Sequence, residues 1–94
     1  MKSKLYDLLV KTVKEYNENS RQANSYFAAI QAEELYNVTS FEICKDRMKL
    51  YCEYATEIAK ILGVKLSCKL EAQRLYDVDW QYTTINIEEE DHHE

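Results

Sequence analysis

Two apolar stripes constrain the fold more than any other feature of this chain. The first is Tyr6, Leu9, Val13, Tyr16, Ser20, Ala23, Phe27 and Ile30, and the second is Phe41, Cys44, Met48, Tyr51, Ala55, Ile58 and Leu62. Both advance by alternating steps of three and four, the spacing that holds side chains on one face of an α-helix. With no proline and a single glycine, the chain contains little to interrupt those helices. The stripes predict two long helices folded back on each other.

The ends of the helices follow from capping chemistry. Ser3 suits the N-cap of helix one, which should run to about Tyr36. Asn17-Glu18-Asn19-Ser20 has mostly poor interior propensity. The stripe keeps its phase across these residues, which argues for continuity, with a bend or local fraying there. Asn37-Val38-Thr39 reads as the turn, and Thr39 with Glu42 has capping-box spacing, placing the start of helix two at Ser40 or Phe41. Gly63 is the expected stop after Leu62. Folding about that turn sets residues whose numbers sum to about 77 opposite each other. Ala23 should then meet Tyr54 or Tyr51, Phe27 should meet Leu50, and Ile30 should meet Met48. The small step at Ser20 and Ala23 would receive the tyrosines.

Beyond Gly63 the pattern changes. Glu71-Ala72-Gln73-Arg74, set among Leu66, Leu70 and Leu75, suggests a short third helix over residues 67–76. Residues 80–87 are rich in β-formers and read as an extended arm, or as a strand that pairs with something. The end, residues 88–94, is a like-charged acidic tail expected to be disordered. The expected fold is all-α: a long antiparallel two-helix hairpin, a short third helix and an extended C-terminal arm, as one helical domain over residues 1–87.

Composition narrows the function. At 94 residues with a net charge of -5, this is one acidic domain, which argues against a general binder of phosphate backbones. Cys44, Cys52 and Cys68 are odd in number and lack CxxC spacing, so they read as reduced thiols of a cytoplasmic protein. No apolar run approaches the length of a membrane span, and the first residues do not form a signal peptide. His92 and His93, the only histidines, fall in the tail, so neither a fixed zinc site nor a Cys-His pair is expected. Without GxSxG, HExxH or a glycine-rich phosphate loop, no enzyme activity, metal or cofactor is expected.

One stretch resembles a known unit. Glu57-Ile58-Ala59-Lys60-Ile61-Leu62-Gly63-Val64 is similar to the first helix and turn of a helix-turn-helix DNA-binding unit. The resemblance spans residues 57–76 and implies a recognition helix offering Ser67, Lys69, Gln73 and Arg74 to DNA. A second alternative is a small anionic or nucleotide ligand held between chains. Lys45, Arg47, Lys49, Lys60, Lys65 and Lys69 would meet phosphate, and Tyr51, Tyr54 and Tyr76 would stack a base.

The leading expectation rests on surplus apolar residues. Leu5, Leu8, Val10, Leu35, Ile43 and Ile61 lie off the hairpin stripe, and Leu50 sits at its edge. Exposed together they would form large apolar patches, so another chain should cover them. The eight tyrosines suit half-buried interface positions. The expected function is therefore a small non-enzymatic cytoplasmic binding protein acting through helix faces. It would be a phage- or bacterial-type inhibitor or adaptor that oligomerises with itself or caps a partner protein. Tyr51, Tyr54, Tyr76, Trp80, Tyr82 and Ile85 are its candidate contacts, and Lys65, Lys69, Gln73 and Arg74 the candidate anion or DNA contacts.

Overall fold

The computed structural model describes residues 3–33 and 37–88. Helix α1 spans Lys4–Gln31 and helix α2 spans Val38–Leu62, followed by strands β1 (Lys65–Leu75) and β2 (Val78–Glu88). The fold is α+β: a helical hairpin carrying an antiparallel β-hairpin, within 52 × 24 × 16 Å. The all-α expectation is overturned. Most of the segment read as a third helix is β1, and the arm is β2, its strand partner.

Ser3 caps α1 as expected, its Oγ accepting from the Tyr6 N–H at 3.0 Å. The helix runs unbroken through Asn17-Glu18-Asn19-Ser20. Its last residue is Gln31 rather than one near Tyr36. At Ala32 the chain closes back on Ala28, Ala29 and Ile30 carbonyls, and Glu33 adopts φ 69°. This left-handed residue ends the helix as glycine usually would. The expected extension over residues 34–36 lies outside the described residues, as do residues 89–94 of the expected disordered tail, whose first residue, Glu88, ends β2 instead. Helix α2 starts at Val38, two or three residues before the expected point, so Thr39 is helical and not a cap.

Because α1 ends early, the two helices meet in a different register. Phe27 packs on Phe41, ring centroids 5.6 Å apart, and the Cys44 thiol donates to Gln22 Oε1 at 3.8 Å. Facing residues thus sum to about 68. The expected pairs Ala23–Tyr54, Phe27–Leu50 and Ile30–Met48 do not form: Tyr54 and Leu50 are exposed, and Met48 shares a hollow with Ser20 and Ala23 instead.

Gly63 ends α2 as expected, at φ 73°. The Val64 N–H donates to the Ala59 carbonyl at 3.1 Å and the Gly63 N–H to that of Lys60 at 3.2 Å. This pair is a Schellman motif, and it turns the chain directly into β1. Strands β1 and β2 pair residue for residue from Lys65↔Glu88 to Leu75↔Val78. Tyr76 and Asp77, at φ 54° and 61°, form the connecting two-residue turn with the left-handed backbone of a type I′ hairpin. β1 does alternate, with Leu66, Cys68, Leu70 and Ala72 interleaved with Ser67, Lys69, Glu71 and Gln73. That period of two is the strand signal, and pairing with β2 overrides the helix propensity of Glu71-Ala72-Gln73-Arg74.

The core lies where both helices meet the sheet. Leu9, Val13 and Tyr16 of α1 pack on Ala55 and Ala59 of α2 and on Ile85 of β2. Leu9 is fully buried, which contributes roughly 2 kcal/mol. Large residues on α1 face small ones on α2, so the helices approach closely.

Candidate interaction surfaces

The weak helix formers of α1 have a tertiary role. Asn17 Nδ2 donates to the Ile85 carbonyl at 3.0 Å, and its Oδ1 accepts the Ile85 N–H at 2.7 Å. The Asn17 amide thus stands in for a neighbouring strand. One turn on, Ser20 Oγ donates to the Thr83 carbonyl at 2.5 Å. The small step at Ser20 therefore receives backbone of β2, not the tyrosines of α2. Farther along, Asn24 Nδ2 donates to Gln73 Oε1 at 2.9 Å, and Gln73 Nε2 donates to Ser25 Oγ at 3.3 Å. Helix α1 so covers the outer edge of β2 at Thr83 and Ile85 and reaches over to the Gln73 side chain of β1.

The two edges of the sheet differ. Ile85 points its N–H and carbonyl at Asn17, away from β1. In an antiparallel ladder this orientation alternates residue by residue and is shared by opposed residues. Cys68, the partner of Ile85, therefore points its own N–H and carbonyl away from β2, as do Leu66, Leu70, Ala72 and Arg74. Among the described residues no third strand pairs with this edge. Beside the Leu66 end lies an open groove of about 360 Å³ between β1 and α2, lined by Cys52, Thr56, Ala59, Val64, Leu66 and Cys68 among others. Leu70, in the middle of this edge, is 62% exposed.

A second surface is the outer face of α2. Ile43, Leu50, Tyr54 and Ile61 are 45%, 43%, 51% and 71% exposed. Their steps of seven, four and seven keep them in line along one side of the helix over about 27 Å. Arg47 and Glu57 fall near the same line.

The structure separates the residues expected to act together. Tyr51 is half-buried against the core, and Ile85 is inside it. Trp80 sits edge-on to Phe27 with centroids 5.8 Å apart, and its Nε1 donates to the Leu75 carbonyl at 3.0 Å. Tyr82 lines a shallow hollow with Phe27, Phe41 and Met48. These four serve packing. Tyr54 belongs to the exposed α2 face, and Tyr76 to the hairpin tip. Gln73 is committed to α1, Arg74 pairs with Asp79 at 3.1 Å, and Lys69 with Glu71 at 3.6 Å. Lys65 opens β1. Because residues 65–75 form a strand, the helix that a helix-turn-helix would place in a DNA groove is absent. The cations of the ligand alternative also fail to converge: Lys45 and Lys60 lie about 22 Å apart along α2, Lys45 lies over the Phe41 ring, and Lys60 pairs with Glu57.

Burial raises the Tyr16 phenol above its ordinary value, helped by the neighbouring Cys52 and Cys68 thiols, and raises the Cys44 thiol. Hydrogen bonds from Arg21 and Gln22 lower the Glu18 carboxyl on the outer side of α1. All three cysteines are free. Among the described residues no three His, Cys, Asp or Glu side chains converge on a metal position, and no helix is long and apolar enough to cross a membrane.

Asn17, Ser20 and Asn24 were missed as docking residues, although three polar residues on or beside an apolar stripe were their signal. Ile43, Leu50 and Ile61 were visible as surplus, and their seven-four-seven spacing shared with Tyr54 was the unread part. No known protein family, no curated protein sequence and no solved structure matches this chain.

Proposed function

We propose that this chain is a small non-enzymatic, cytoplasmic protein-binding module. It acts as an inhibitor or adaptor by laying the outer face of α2 into an apolar groove of a partner protein. The observation that carries this reading is the line of Ile43, Leu50, Tyr54 and Ile61, all exposed on one side of a long helix. Helix-in-groove recognition uses anchors in this pattern, an aromatic among them. Arg47 and Glu57 beside the anchors supply polar contacts at the rim. The free thiols fit a reducing compartment.

The test compares wild type with Tyr54→Asp and Leu50→Glu as baits in lysate of the source organism. Both positions are exposed, so the variants should keep the wild-type helix content and melting temperature. A protein retained by wild type at near-stoichiometric yield and lost from both variants supports the reading. Retention of nothing, or equal retention by all three baits, refutes it.

A further inference from the structure

The open edge of β1 is complementary to itself. We infer that it is completed by β1 of a second copy of this chain, running antiparallel across a two-fold axis through Leu70, so that two hairpins join into one four-stranded sheet.

The two edges of the hairpin are treated unequally. Side chains of α1 cover the middle of the β2 edge at Thr83 and Ile85, while eleven residues of β1 run in unbroken register beside an outer edge that no further strand pairs with. Edge strands are commonly blunted by proline, by a bulge or by shortness. β1 has no proline and no bulge, and its length is well above average for a strand. Its lysine guard is muted, because Lys69 already pairs with Glu71 on the same face. At the centre of the edge stands an exposed leucine.

The register follows from the backbone. Leu66, Cys68, Leu70, Ala72 and Arg74 offer the outward N–H and carbonyl groups. Centring the pairing on Leu70 opposes Leu70 with the partner's Leu70, Cys68 with the partner's Ala72, and Leu66 with the partner's Arg74. All five outward residues on each chain then donate and accept, giving ten bonds. Moving the axis to Lys69 or Glu71 leaves one of the five without a strand partner on each chain and sets Lys69 against the partner's Lys69, or Glu71 against the partner's Glu71. Moving it to Cys68 or Ala72 leaves two of the five without a partner.

The same register settles the charges. It sets Lys69 opposite the partner's Glu71, and Glu71 opposite the partner's Lys69. Each lysine then lies between two carboxylates, its own and the partner's, in an alternating ring of four. Centred on Cys68, Lys69 would face the partner's Ser67. Centred on Ala72, it would face the partner's Leu75. On the opposite face, the two Leu70 side chains meet at the axis. The partner's Ala72 lies beside Cys68 at the mouth of the apolar groove against α2. Hydrogen bonding, charge and apolar contact therefore select one pairing, and it is isologous, as a closed dimer requires.

Sedimentation and light scattering at micromolar concentration should give twice the 11.2 kDa of one chain. Leu70→Pro removes an outward N–H that the hairpin itself does not use. It should give the mass of one chain with an unchanged circular dichroism spectrum. Lys69→Glu and Glu71→Lys should each weaken dimerisation about tenfold or more. Mixed in equal amounts, those two variants should recover the dimer, because each then faces its opposite charge. Amide exchange in the wild-type dimer should show protection at residues 66, 68, 70, 72 and 74. Tyr54→Asp should leave the mass unchanged, which separates this pairing from the α2 docking face. A wild-type mass of one chain throughout, a dimer that persists in Leu70→Pro, or charge variants that fail to complement would each overturn the inference.

Discussion

Replacing Asn17 with alanine sets local helix propensity against tertiary hydrogen bonding, and the two predict opposite signs. Asn17 lies inside α1, where alanine is the better helix former by up to about 0.7 kcal/mol. On propensity alone Asn17→Ala should stabilise. The structure gives the asparagine two bonds to one residue of β2: it donates to the Ile85 carbonyl at 3.0 Å and accepts the Ile85 N–H at 2.7 Å. Ile85 as a whole residue is only 4% exposed, so water reaches its backbone poorly. Losing two net hydrogen bonds costs about 1–3 kcal/mol, and stranding the two backbone groups brings the cost towards the upper end. After the helix gain is subtracted, Asn17→Ala should destabilise by about 2 kcal/mol. For a domain of this size that lowers the melting temperature by about 10 °C. Urea unfolding followed by circular dichroism, at one fixed protein concentration, measures it. Exchange of the Ile85 amide should accelerate in the same variant. A variant as stable as wild type, or more stable, would show that α1 does not hold the edge of β2 through this side chain.

Gly63→Ala should cost about 1 kcal/mol in the same unfolding assay. Its φ of 73° disfavours any Cβ, whereas the space around it is open, with nothing within 4 Å; a loss above about 3 kcal/mol would mean that the site is crowded. Alkaline pH should erode stability through Tyr16 and Cys44. Burial raises both above their ordinary 10.0 and 9.0, so the folded state keeps these protons after the unfolded chain has released them. Their contribution is intact below about pH 9 and is lost as pH rises through the folded values. Tyr16→Phe and Cys44→Ala should each flatten the fall in urea midpoint above pH 9, and a slope identical to wild type would refute the assignment.

The sequence by itself determined what depends on neighbours within one or two turns. The stripes fixed two helices, Ser3 fixed where the first begins, and Gly63 fixed where the second ends, because amphipathic spacing and end capping are local interactions. The stripe holding phase through Asn17-Glu18-Asn19-Ser20 correctly outweighed weak propensity there. Tertiary structure decided three other matters. The end of α1 depends on Glu33 taking a left-handed backbone that its side chain does not favour, and this early turn moved the helix pairing from a sum of about 77 to about 68. The strand at residues 65–75 depends on a ladder to residues 78–88, closed by Tyr76-Asp77 instead of the usual asparagine–glycine turn. Pairing energy between segments is invisible to a reading of either alone, and Glu71-Ala72-Gln73-Arg74 is a helix former in isolation. The roles of the polar residues on or beside the α1 stripe are non-local as well. Asn17 and Ser20 look like helix weaknesses until β2 lies against them, and only the ladder they complete shows which edge of the sheet is covered and which is open.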